Sequence, residues 1–362
     1  MKITALKTRL VNVPLDKPVK TAIHDISSVG CVLLYLETDQ GLCGESYLFT
    51  INGARLKSFD EMLKQFAYLV VDKDPHYISE IWSSIWTVIN PIGHEGVTVS
   101  ALSAIDVACW DLIGKSAKKP LHQIFGACRD KIPTYASGGL WLSQSIPELE
   151  IEATGFVKDG FRAMKARVGK PTISEDVDRI NAIREAVGPE IKILTDANQS
   201  LTPKHAIRLG RELEKLDVEW LEEPVTRQDL AGQADVRNSL AIPVASGETE
   251  WSRFGILATI QARAADVLMP DLQRIGGYTE MRRVSALAEA FNIPISTHIF
   301  TEQSLCIAGS SPGCISVEHM PWYSPLFVED MHIEDGDILI PDRPGTGFTF
   351  SEEAVRQFSY DP

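Results

Sequence analysis

The stretch "KILTDANQS", residues 192–200, decides how this chain is read. It opens with the apolar–polar alternation of a short strand and stops abruptly on Asp196, Asn198 and Gln199. A strand that begins in a core and ends on a carboxylate calls for a reason, and the same ending recurs downstream. "VEWLEEP" ends on Glu222 and "VASGETE" carries Glu248, so the steps from 196 to 222 and from 222 to 248 are 26 residues each. From "DKIPTYAS" onwards the rhythm of apolar strand, polar break and amphipathic helix repeats. It places strand ends near Ser137, Arg167, Asp196, Glu222, Ser246, Pro270, His298 and Glu318. In "TISEDVDRINAIREAVG", Ser174 is expected to cap a helix and Gly188 to end it. Eight strands at intervals of roughly 20–30 residues, with helices between them, predict a parallel βα barrel. An open doubly wound sheet is the alternative.

The first third reads differently. "ITALKTRLVNVPL", "CVLLYLETD" and "CGESYLFT" predict an antiparallel meander, followed from Leu56 to Gly126 by helical spacing that includes "VSALSAIDVACWDLIGKSAKKPLHQIFG". The tail from Met320, with "DGDILIPDRPGTGF", returns to strand and turn chemistry and is expected to pack on this first unit. The chain thus divides into an α+β unit (1–130), a barrel (131–320) and a C-terminal segment (321–362). At 362 residues, 44% hydrophobic and 23% charged, it has the composition of a globular protein. A net charge of −14 argues against a nucleic-acid partner. No stretch approaches the roughly 18–20 apolar residues of a membrane span. Six cysteines without a C-x-x-C pair suggest buried thiols in a reducing cytoplasm.

In a barrel the carboxyl ends of neighbouring strands converge on one rim, which makes Asp196, Glu222 and Glu248 neighbours. Three carboxylates in a partly dry site repel unless a cation neutralises them, and an all-oxygen set suits Mg²⁺. Glu222 and Glu223 should point to opposite faces, so that only one of them takes part. One βα unit further, "LMPD" and "ISTHIF" place Asp271 and His298, a pair suited to a general base whose tautomer the aspartate fixes. Glu318 is read as a general acid or as a hydrogen-bond partner of a substrate carboxylate. On the opposite side, Lys165 and Arg167 alternate onto one face, and only the lysine could give up its proton.

This ordered set resembles the enolase superfamily and, within it, the mandelate racemase subgroup. The likeness extends to "VNVPLDKPVKTAI", "GESYLF", "DANQSL", "WLEEP", "MPDLQRIGG" and "IPDRPGTG", and so covers nearly the whole chain. The resemblance implies a modified TIM barrel, (β/α)7β, closed by a capping domain made of the N-terminal third and the C-terminal tail. It implies Asp196, Glu222 and Glu248 as Mg²⁺ ligands, His298 with Asp271 as a base dyad, and Glu318 as the acid that binds the substrate carboxylate. The shared chemistry is removal of the proton α to a carboxylate, with the metal stabilising the enediolate. Homo-oligomers, often octamers, occur in the subgroup.

One departure matters. Where mandelate racemase has K-x-K with a second lysine as base, this chain has Arg167, which favours one-base outcomes. The leading expectation is an acid-sugar dehydratase that forms a 2-keto-3-deoxy acid, with His298 taking the α proton and returning it to the departing hydroxide. The alternative is a racemase, epimerase or cycloisomerase in which Lys165 serves as second base if Arg167 lowers its pKa. A carboxylate-binding barrel without activity is the third reading. Asn198, His24 and Ser137 are the candidates for substrate contact. Ile23, Trp141 and Tyr47–Phe49 could line a less polar pocket, ordinary packing being the first expectation for them. The expected partner is a small carboxylate, with no nucleic acid and no membrane.

Overall fold

The computed structural model describes residues 1–361. Strands β1 (Ile3–Lys20), β2 (Asp25–Thr38) and β3 (Cys43–Ile51) form an antiparallel three-stranded sheet in the order β1-β2-β3. Its register pairs Val11 with Cys31 and Leu33 with Tyr47, which puts long apolar runs of β2 under cover on both faces. Helices α1 (Leu56–Gln65), α2 (Ala67–Val70), α3 (Ile78–Val88) and α4 (Val97–Ala117) pack against it. Gly44 lets β3 approach α4 so closely that a Cβ there would collide with the Ala108 carbonyl.

The expectation that no stretch reaches membrane-span length is corrected here. Helix α4 has 21 residues, and its most apolar 18-residue window has a mean hydropathy of 1.5 and is 89% buried. Its apolar surface faces β3 and barrel helices, which explains why it is hydrophobic nearly all round.

Eight parallel strands follow: β4 (Lys131–Ala136), β5 (Ala163–Arg167), β6 (Lys192–Asp196), β7 (Val218–Glu222), β8 (Val244–Ser246), β9 (Val267–Leu268), β10 (Ile295–Thr297) and β11 (Cys314–His319). Val317 pairs with Thr134 and His319 with Ala136, so β11 returns to β4 and closes the barrel. Seven connections, each containing a helix, join the eight strands, which makes the barrel (β/α)7β and rules out the open sheet. Every expected strand end falls within two residues of its observed position. The helix over Ile173–Val187 is capped by Thr172, however, not by Ser174. The Thr172 hydroxyl accepts from the Glu175 N–H, and the Glu175 carboxylate reaches back to the Thr172 N–H.

After the barrel comes the hairpin β12 (Ile333–Glu334) and β13 (Asp337–Leu339). Strand β13 runs antiparallel to the start of β4, with Ile338 opposite Ile132. Beyond it the chain returns to the first sheet, where the Asn12 N–H donates to Phe358 O (2.9 Å) and the Tyr360 N–H to Leu10 O (2.9 Å). The barrel interior is filled by Tyr135, Leu194, Trp220, Ala245, Val267 and Met269. The Tyr135 and Trp220 rings meet edge to face and form a floor beneath the strand ends.

Candidate active site

The carboxyl ends of the strands open into a recess of about 130 Å³. Its wall holds Lys165, Arg167, Asp196, Asn198, Glu248, His298 and Glu318 from the barrel, and His24 from the turn between β1 and β2. Glu222, Asp271 and Ser137 stand behind that wall, each fully buried.

On one side His298 is held from both ends. Its Nδ1 lies 2.7 Å from Asp271 Oδ2 and its Nε2 lies 3.2 Å from Glu248 Oε2. Asp271 is fixed in turn by the Arg274 N–H, 2.9 Å from its other oxygen. Burial opposes charge on the imidazole, but the Glu248 carboxylate and the Asp271 hydrogen bond outweigh it and raise His298 to about 9. The next two residues, Ile299 (φ 31°) and Phe300 (φ 48°), are left-handed, which is costly for a β-branched and a bulky side chain. The turn aims the Ile299 N–H at Glu318 Oε2 (2.8 Å).

Glu318 receives more than that. Ser137 Oγ donates to its Oε1 at 2.5 Å and Lys165 Nζ lies 2.8 Å from the same oxygen. Burial favours the neutral acid, yet Lys165 holds the Glu318 carboxyl well below the usual range. Both of its oxygens are committed, so it does not stand here as a proton donor. Ser137, expected at the substrate, spends its hydroxyl on Glu318 and also accepts from Arg167 Nη2 (3.0 Å).

On the opposite side the cations are already paired. Lys165 Nζ bridges Glu222 (2.7 Å) and Glu318, and although burial opposes its charge, these two acids hold it well above the ordinary lysine value. Arg167 does not lower it. Arg167 Nη1 donates to the carbonyls of Ser137 (2.8 Å), Gly139 (3.2 Å) and Lys165 (3.3 Å), and the guanidinium lies 4.0 Å above the Trp141 ring. Trp141 stacks in turn on Trp322. The Arg167 Nε is buried without a hydrogen-bond partner, 4.0 Å from Asp196 Oδ2, and the Asn198 Oδ1 also lacks one. These two uncommitted atoms, one donor and one acceptor, belong to residues of the recess wall.

Two expectations need correction. Glu223 is not turned away: its left-handed backbone (φ 38°) breaks the strand pleat, and it lines the recess together with Gln199. Gln199 Nε2 and Thr249 Oγ1 donate to its carboxylate, while burial pushes it to about 7. The wall is also more apolar than ordinary cap packing accounts for, since Ile23, Phe49, Trp141 and Trp322 all line it. Tyr47 lies deeper, with its hydroxyl 3.3 Å from Glu302.

The donor set fits a divalent cation. Asp196, Glu222, Glu223, Glu248, Asp271 and Glu318 are six carboxylates, facing Lys165, Arg167, Arg274 and a protonated His298. Burial raises Glu222 well above the usual carboxylate range and Glu223 and Glu248 to about 7, a penalty on crowded acids that a divalent ion would relieve. Among the described residues no three acids or imidazoles are gathered into a ready cage. Glu222 is tied to Lys165 and Glu248 to His298, so accepting an ion requires both carboxylates to change partners.

Residues 3–126 match the Mandelate racemase / muconate lactonizing enzyme, N-terminal domain, and residues 148–354 match the family described as Enolase C-terminal domain-like. The chain is 33% identical over 355 residues to the 3,6-anhydro-alpha-L-galactonate cycloisomerase of Streptomyces coelicolor, covering 98% of each protein. It is 30% identical over 361 residues to the L-talarate/galactarate dehydratase of Salmonella typhimurium, covering 98% of this chain and 90% of that one. A crystal structure of a racemase from Streptomyces coelicolor with bound magnesium superimposes with a TM-score of 0.95 at 31% identity, covering 99% of this chain and 100% of the other.

Proposed function

Because this chain belongs to the mandelate racemase / muconate lactonizing enzyme family of the enolase superfamily, we propose that it is a Mg²⁺-dependent acid-sugar dehydratase working with a single base. The Salmonella relative at 30% identity is a dehydratase of this kind, and the magnesium-bound neighbour supports the cofactor. Asp196, Glu222 and Glu248 would hold the ion, which when bound supplies a Lewis acid for the charge developing on the substrate carboxylate.

The remaining work falls to side chains. His298, oriented through Nδ1 by Asp271, takes the proton α to the carboxylate at Nε2 once Glu248 has moved away and that nitrogen has given up its own proton. The electron pair left on the α carbon forms the double bond to the β carbon as the β C–O bond breaks. His298 then returns the proton to the leaving hydroxide, so one water departs and the enol tautomerises to the 2-keto-3-deoxy acid. Lys165, charged between Glu222 and Glu318, offsets the negative charge of the substrate. Arg167 Nε, which donates, and Asn198 Oδ1, which accepts, are available to a substrate hydroxyl. Six free cysteines support the cytoplasm as the compartment.

The observation that carries this reading is that three carbonyls and the Trp141 ring engage Arg167 while Glu222 and Glu318 hold Lys165 charged, so neither cation on that side serves as a base. The cycloisomerase at 33% identity and the apolar part of the wall favour a second reading, exchange or isomerisation of a less polar hydroxy acid. Proton NMR of the protein with Mg²⁺ in D₂O separates the two. Incubation with pooled acid sugars is expected to yield new 3-deoxy methylene signals. Loss of the α-proton signal with the carbon skeleton intact would select the second reading.

A further inference from the structure

The substrate class can be narrowed, in an inference that rests on the catalytic reading above. The catalytic recess, about 130 Å³, is smaller than the ~300–1,000 Å³ of sites that enclose a small molecule. His24, Phe49, Ile51 and Arg274 belong also to the wall of a second cavity, about 480 Å³, between the first unit and the barrel. The annex therefore adjoins the catalytic recess.

The annex is walled largely by apolar residues, among them Phe49, Phe59 and Trp251, and it also carries groups that suit an anion. Two helices begin in its wall, α1 behind Arg55 and α4 behind Gly96. Neither has a side-chain cap or an acid in its first turn, which leaves backbone N–H donors and the positive ends of two helix dipoles unmatched by side chains. One turn into α4, Ser100 is fully buried in the annex wall and its hydroxyl has no partner. Arg55 adds an exposed guanidinium on a left-handed residue (φ 63°). Asp25, the acid of this wall, is matched by Lys20 at 3.4 Å. Arg274 connects the two spaces, since it lines both and donates to the Glu248 carbonyl at 2.7 Å.

We propose that the annex receives a second carboxylate of the substrate, so that the site is built for dicarboxylic sugar acids in preference to monocarboxylic ones. Arg55, Ser100 and the first turn of α4 contribute the donors. One uncommitted arginine and one hydroxyl suit the single charge of a carboxylate better than the double charge of a phosphate ester.

Matched pairs test this: galactarate against D-galactonate, and D-glucarate against D-gluconate, each differing only at the sixth carbon. Calorimetric titration of the Mg²⁺-loaded protein is expected to show the diacid of at least one pair bound at least tenfold more tightly. R55Q is expected to abolish that preference and R55K to restore part of it. Equal affinity for acid and diacid in both pairs, or a preference that R55Q leaves in place, overturns the proposal. Following α-proton loss in D₂O on the same samples keeps the two failures apart. Turnover of a monoacid with no Arg55-dependent preference rejects the annex alone. An Arg55-dependent preference without α-proton loss from any of the four acids rejects the catalytic reading alone.

Discussion

His298 and Arg167 face the same recess from opposite sides and are held in opposite ways. His298 touches two carboxylates through its two ring nitrogens, partners that leave it able to exchange a proton. Arg167 touches three backbone carbonyls, a hydroxyl and an indole ring, partners that fix a permanent cation in place. The same rim thus carries one mobile proton and one static charge. A site with this asymmetry reads one configuration at the α carbon, and elimination needs no more than that.

The largest effect is expected where the mobile proton is removed. H298N should lower kcat by about 10³-fold, within the ~10²–10⁴ that a positioned base contributes, and abolish α-proton loss in D₂O. If H298N kept α-proton loss, the assignment of the two sides would be reversed. A smaller effect is expected on the static side. R167K keeps the charge but cannot span three carbonyls and a ring, so turnover should fall by about tenfold while α-proton loss persists. Its thermal stability should fall by roughly 1–3 kcal/mol, the cost of buried carbonyls left unpaired, as read from denaturation curves.

The smallest effect sharpens the contrast from outside the recess. Asp106 in α4 accepts from the Thr279 N–H (2.9 Å), and its second oxygen has no partner. Burial raises it to about 7, above its ordinary value of 3.8. The folded protein therefore binds this proton more tightly than the unfolded chain does. The stabilisation is complete below about pH 4 and is lost as pH rises through 7. D106N should flatten that slope by roughly 1–3 kcal/mol between pH 5 and 8, a change seen in melting temperature.

Much of this was legible in the sequence because the barrel repeats. "KILTDANQS", "VEWLEEP" and "VASGETE" share one rhythm, and strand ends are where periodicity and polarity change together. Asp271 and His298 followed from the same spacing, and the structure joins them at 2.7 Å. What escaped depends on backbone conformation and on contacts distant in sequence. Glu223 enters the recess because its φ is positive, which the strand alternation assumed for it does not anticipate. Thr172 took the cap from Ser174 because Glu175 stands three residues after it, a capping-box signal present in "TISE". The hydrogen bond from Ser137 to Glu318 spans 181 residues, and no local pattern announces it.

The central claim is that one base acts from one side, and α-proton loss from paired C2 epimers tests it most directly. The Mg²⁺-loaded protein is incubated in D₂O with D-gluconate and D-mannonate, with D-galactonate and D-talonate, and with the two enantiomers of mandelate, and each α proton is followed by NMR. The account predicts that within any reactive pair only one member loses its α proton. Loss from both members of one pair would show a second base opposite His298 and would contradict it.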